Sequence, residues 1–236
     1  MRSVYAWIQR VIEYGYKITP GAGKVLMFHQ VRDDGDFILR ADFCMRTSSF
    51  KAMLEEYQRL GMKFCPVANI LVNSNKDHVY VTFDDGFEDV YLYAYPILRE
   101  LKVPFCIFVA IDYINKKGYL TSQMIKTLSK DPLCTIGSHT VTHPRLRFCE
   151  NPEYEIQHSK DMLEEITGNR VECFAYPYGS ISACSLANMN RVKASGYKFA
   201  FSAISGHLNL FSNRGRYFLP RVNVNENMYR RIIHKN

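Results

Sequence analysis

The sequence predicts an α/β protein in which seven or eight β/α units form a closed or nearly closed parallel barrel. Three observations carry this. Short apolar runs alternate with amphipathic helical patterns along nearly the whole chain. The length of 236 residues fits one barrel domain of roughly 200 to 250 residues. Chemistry-bearing side chains recur at the C-terminal ends of the apolar runs, where parallel β/α folds gather their sites.

In chain order, residues 3–16 set Val4, Trp7, Ile8, Val11 and Ile12 at helical spacing, with Arg2, Arg10 and Lys17 on polar positions. An amphipathic helix is expected within residues 1–20, either packed on the barrel or lying on a membrane surface. The first strand spans 24–29 and ends in His29; an unpatterned stretch, 32–46, then forms a loop long enough to cover a site. A helix over 48–61, stopped by Gly61, and a strand over 63–66 come next. Strands over 78–84, 104–111, 135–139, 173–176, 199–204 and 217–222 alternate with helices over 89–101, 121–129, 152–167 and 185–195. Gly168 and Gly196 close the last two helices, since glycine readily takes the left-handed conformation of a helix end. No repeat or low-complexity tract divides the chain, so a single domain, 1–236, is expected.

Composition narrows the classes. Thirty basic against 23 acidic residues give a net charge of +7, which suits an anionic polymer, a lipid phosphate or a membrane surface. No basic run is interleaved with stacking aromatics, so nucleic acid is not expected as a partner. No run reaches the roughly 18 apolar residues of a membrane span, and the N-terminus lacks the order of a signal peptide. Seven cysteines, an odd number without a C-x-x-C pair, read as buried reduced thiols and favour a reducing compartment. The expectation is a cytoplasmic protein, with peripheral membrane contact through its first helix as the variant reading. Nothing in the sequence speaks to oligomeric state.

Three segments carry chemistry. The run Val79, Tyr80, Val81, Thr82, Phe83, Asp84, Asp85, Gly86 is a buried strand ending in two carboxylates and a glycine that permits a sharp turn. A cation would offset their repulsion if the turn aims both into one pocket, although D-D-G is also ordinary turn chemistry. His139 and His143 flank a strand end, and neutral imidazoles are good zinc ligands. Two histidines and one carboxylate would leave coordination positions for water and substrate. Phe174 to Gly179 is an aromatic strand end broken by Pro177 and Gly179; Tyr176, Pro177 and Tyr178 read as a pocket wall with a free amide, or else as an aromatic core edge.

Taken together and in this order, the three segments resemble the motifs of the polysaccharide deacetylases of the NodB-homology type, carbohydrate esterase family 4. The likeness covers most of the chain. It implies a distorted (β/α) barrel of the NodB-homology type, with Asp84 as general base and Asp85, His139 and His143 as ligands of a divalent metal, zinc by preference. The implied activity is removal of an N- or O-linked acetyl group from a carbohydrate, such as a cell-surface polysaccharide or a lipid-linked precursor. The sequence departs from the commoner pattern at two places. Ala175 stands where many members carry an arginine that orients the base, so Arg221, in the last strand, is the expected substitute. The usual late histidine motif is missing, and His234 lies too near the chain end to replace it. His29 then becomes the expected general acid, as in the branch resembling the poly-N-acetylglucosamine deacetylases, with His207 in reserve. The alternatives are a carbohydrate-binding homologue with impaired catalysis and a metal-dependent hydrolase of another amide or ester.

Overall fold

The computed structural model describes residues 23–33, 43–72, 75–206, 208 and 215–233. The helix expected within 1–20, most of the 32–46 loop, His207 and His234 lie outside these residues. Strands β1 (Lys24–Phe28), β4 (Lys63–Phe64), β5 (His78–Phe83), β6 (Phe105–Val109), β7 (Cys134–Ser138), β8 (Cys173–Ala175), β9 (Phe199–Phe201) and β10 (Val222–Asn223) form one sheet. All its pairings are parallel, in the order β10-β1-β5-β6-β7-β8-β9, with β4 on the first residues of β5. Helices α1 (Thr47–Arg59), α2 (Tyr95–Glu100), α3 (Ser122–Leu128), α4 (Pro152–Thr167) and α5 (Leu186–Ala194) fall between the strands, and α6 (Glu226–Ile233) follows the last of them. Among the described residues no helix is long and apolar enough to cross a membrane.

The strands are covered on both faces, which is why they read as continuous apolar runs rather than alternating ones. All six residues of β5 and all five of β6 are buried. Strand periodicity splits them into two packed layers. Leu26, Phe28, Val79, Val81, Phe83, Phe105 and Ile107 belong to a larger cluster that also contains the buried helix residues, among them Phe50, Leu98 and Ile156. The alternate residues Val25, Tyr80, Cys106, Phe108, Cys173, Ala175 and Phe201 form the interior cluster. The interior is tight around β7: a Cβ on Gly137 would lie 2.5 Å from the Phe108 ring and 2.9 Å from Cys173 Sγ. All seven cysteines are free thiols; Cys106 and Cys173 face each other at 3.7 Å.

Seven strands on one path make an incomplete barrel, and a single crossing segment draws its edges together. The Leu219 N–H donates to Ala200 O (2.9 Å) and Ser202 N–H to Leu219 O (2.8 Å) on the β9 side. Three residues on, Val222 pairs with Leu26, and the Val224 N–H donates to Met27 O (2.9 Å) on the β1 side. The strand expected over 217–222 is thus shorter and later, because its first residues turn to serve the other edge.

Three local features were not anticipated. Gln30–Val31 (β2) and Cys44–Met45 (β3) pair in parallel, so both ends of the expected loop are held together. The helix expected over 89–101 begins as a wide turn of π-helix, Val90–Ala94, before α2. Pro96 lies in the first turn of α2 and has no N–H to give a carbonyl four residues back. Helix α6 has no counterpart among the elements expected from the sequence.

Candidate metal centre and cavity

Inward-facing positions at the C-terminal ends of four strands converge. Met27 and His29 continue the interior face of β1, Thr82 and Asp84 that of β5, His139 that of β7 and Ala203 that of β9. Of these, Met27, His29, Asp84, His139 and Ala203 line a cavity of about 350 Å³, together with Asp85, His143, Tyr176 and Tyr178. Pro177 is buried but does not line it. Asp85 would face away from Asp84 in a continuing strand; instead its φ of 71° and that of Gly86, 76°, turn the chain and bring its carboxylate inside. A non-glycine residue in this region is uncommon, and such conformations cluster at functional sites.

Asp85, His139 and His143 present three ligand atoms within 4.8 Å of one another. His139 Nε2 and His143 Nε2 lie 3.4 and 3.1 Å from Asp85 Oδ1. The other nitrogen of His139, Nδ1, donates to the carbonyl oxygen of Ala175 (2.8 Å), which leaves the Nε2 lone pair for the centre. His143 is oriented differently: its ring lies 5.8 Å from that of Tyr113, stacked, and 5.1 Å from that of Tyr178. The loop between the two histidines is bent at Thr140 (φ 72°) and His143 (φ 60°). Glu155, at the start of α4 and only 5% exposed, pins it by accepting from the N–H groups of Val141 and Thr142 (both 2.9 Å) and the Thr142 hydroxyl (2.8 Å).

The charges fit a cation. Burial opposes ionisation of Asp85, yet hydrogen bonds from His139 and His143 outweigh it and hold its carboxyl well below the usual carboxylate range. Burial also opposes charge on His139, but Asp85 and Asp84 overcome that and push its pKa up. The cluster therefore favours positive charge at the Nε2 face, which a proton or a divalent ion satisfies. Two imidazoles and one carboxylate are a donor set suited to such an ion.

Asp84 stands apart from that cluster. Arg221, fully buried, grips it as a fork, Nη1 to Oδ1 at 2.6 Å and Nη2 to Oδ2 at 2.7 Å. Nη1 also reaches the Thr82 hydroxyl (3.3 Å), Nε donates to Ser202 O (2.8 Å), and the guanidinium carbon lies 5.5 and 5.8 Å from the Phe108 and Phe201 rings. Burial would raise the pKa of Asp84; Arg221, then His139 and His29, reverse this and keep it lowered. His29 lies with its ring 4.7 Å from Phe43, and its buried Nδ1 has no hydrogen-bond partner among the described residues. Burial lowers its pKa, and the two aspartates offset only part of this.

The structure brings His29, Asp84, Asp85, His139, His143, Tyr176, Tyr178 and Arg221 to one end of the barrel. Tyr176 is 1% exposed and donates through its hydroxyl to Tyr217 O (3.1 Å). Tyr178, 48% exposed, has a φ of 61°, and its N–H has no partner among the described residues. Sequence reasoning missed Glu155, Phe43, Tyr113 and Arg145. Only Glu155 had a local signal: Asn151 caps α4 and Pro152 starts it, which places an acid of the first turns beside the preceding loop.

The family model described as polysaccharide deacetylase matches residues 72–200. A Bacillus subtilis (strain 168) protein, YxkH, is 28% identical over 152 residues, covering 64% of this chain but only 52% of that protein. The chain thus spans about half of that relative's length. A poly-beta-1,6-N-acetyl-D-glucosamine N-deacetylase of Staphylococcus aureus is 22% identical over 214 residues, 81% of this chain and 71% of that one. Among solved structures, a polysaccharide deacetylase from Bacillus cereus superposes with a TM-score of 0.75 at 24% identity, covering 89% of this chain and 68% of that one. IcaB from Ammonifex degensii gives 0.75 at 21%, covering 92% and 97%. These likenesses bear on the fold.

Proposed function

Because the chain belongs to the polysaccharide deacetylase family, we propose that its cavity hydrolyses the acetyl group, N- or O-linked, of an acetylated carbohydrate with the help of a divalent metal, zinc by preference. The observation that carries this reading is the division of labour between adjacent carboxylates: Asp85 faces two imidazoles, while Asp84 is clasped by Arg221. Asp85, His139 and His143 would hold the ion, which supplies Lewis acidity, acidifying water and polarising a carbonyl.

The chain's own residues do the rest. Asp84 takes the proton of the attacking water, and the Arg221 fork fixes the direction of its lone pairs. The Tyr178 amide donates to the oxyanion that forms as the carbonyl carbon becomes tetrahedral. Collapse needs a proton on the departing nitrogen or oxygen, and His29 supplies it; burial makes its imidazolium a stronger acid than a free one. Tyr178 walls the cavity with exposed aromatic surface suited to the apolar face of a sugar, and Tyr176, expected beside it, is buried behind that wall.

Acetate release from acetylated oligosaccharides, measured with and without chelator and again with Asp84→Asn, tests the proposal. Release that stops with chelator and with Asp84→Asn is the expected result. Metal-retaining Asp84→Asn protein with undiminished release would overturn it.

A further inference from the structure

The family reading accounts for the cavity floor but not for a cation at its mouth. Arg145, exposed, lines the same cavity and places its guanidinium carbon 3.9 Å over the ring of Tyr178, whose other neighbour is the His143 ring at 5.1 Å. It is two residues beyond His143, in the loop that Glu155 pins, so its backbone shares the anchoring of the metal-site loop.

Its surroundings differ from those of the paired arginines. Arg32, Arg59, Arg99, Arg191 and Arg221 each lie within 4.0 Å of a carboxylate. Arg145 has no carboxylate partner among the described residues. The two acids of the cavity are engaged elsewhere, Asp84 by Arg221 and Asp85 by the histidines. A guanidinium held by its face on an aromatic ring keeps its in-plane N–H donors free, and it loses less side-chain freedom when they bond. Five donors in a fixed fork match the oxygens of a carboxylate or a phosphate.

We propose that Arg145 selects an anionic substrate: an acetylated carbohydrate bearing a carboxylate or phosphate group beside the sugar that enters the centre. This rests on the deacetylase reading and narrows it. The sugar to be deacetylated sits over the metal ligands, and the anionic group of its neighbour reaches the fork one ring further out, past Tyr178. Because Arg145 is exposed, the attraction weakens as salt rises.

The experiment compares acetylated oligosaccharides of equal length: one neutral, one with a carboxylate and one with a phosphate on the neighbouring sugar. Protein with wild-type sequence is expected to favour an anionic substrate by about tenfold in kcat/KM at low salt, the two charged arms separating carboxylate from phosphate. Arg145→Gln brings the ratio close to one, and Arg145→Lys, a point charge without the fork, recovers part of it. Titrating Asp84→Asn protein with the same sugars gives the corresponding ratio of dissociation constants without turnover. A ratio near one in the parent protein, or one that survives Arg145→Gln, overturns the proposal. Absence of acetate release from every sugar, with the binding preference and its loss in Arg145→Gln intact, counts against deacetylation and leaves anion selection standing.

Discussion

Arg221 Nη1 and Nη2 meet Asp84 Oδ1 and Oδ2 at 2.6 and 2.7 Å, across 137 residues of sequence and in a site where the arginine has no exposed surface. Neither charge can be removed alone without leaving the other buried. Arg221→Met is therefore expected to cost about 3–5 kcal/mol in chemical denaturation and to abolish acetate release. The double variant with Asp84→Asn recovers much of that stability and none of the activity, which separates pairing from proton transfer.

His29 and His139 share the cavity but differ in what they touch. His29→Gln is expected to keep its bound metal, read by elemental content, and to lose about a hundredfold or more in kcat. His139→Ala loses the metal as well, because it deletes a ligand atom that the Ala175 carbonyl orients. Unchanged turnover in His29→Gln would remove it from the mechanism.

Glu155 hydrogen-bonds to neither His139 nor His143, yet its three accepted hydrogen bonds hold the loop that carries both. Glu155→Gln can still accept but loses charge, and a weakening of metal affinity by about 10–100-fold is expected, measured by competition with a chelator. Equal affinity in the variant would show that the loop is held by its turns alone.

Asp89 supplies a pH dependence away from the candidate metal centre. Buried, it accepts from Gln30 Nε2 (3.0 Å) and Arg32 Nε (2.8 Å), yet burial prevails and its pKa is raised from 3.8 to about 6. The folded state then holds this proton more tightly than the unfolded chain, so the contribution is fully present below pH 3.8 and lost as pH rises through about 6. Unfolding free energies of the parent and Asp89→Asn, measured from pH 4 to 7, should diverge in favour of the variant by about 1–3 kcal/mol as pH rises. A difference independent of pH would mean that Arg32 keeps Asp89 charged throughout.

Much of this was readable from the chain because it depends on local pattern. Short apolar runs alternating with helical patterns located the strands, and α4 occupies the residues its pattern and closing Gly168 marked, 152–167. Asp84, Asp85, His139 and His143 stood out because their types and strand-end positions are local facts. Arg221 was legible only indirectly, through the missing arginine at Ala175. What stayed hidden depends on pairing between distant residues. The crossing of 219–224 between two edges, the β2–β3 pair and the contact of Arg145 with Tyr178 leave no periodic trace. Likewise the π turn at Val90–Ala94 follows from one proline's missing donor in a segment whose apolar spacing is still helical.

The crossing segment couples assembly to chemistry. A ribosome delivers residues in order, so Asp84 and the histidines are made long before Arg221, and until that late stretch docks, the Asp84 carboxylate lacks the cation that keeps it ionised and aimed. The segment that draws the barrel's edges together thus also carries the cation that completes the Asp84 pair.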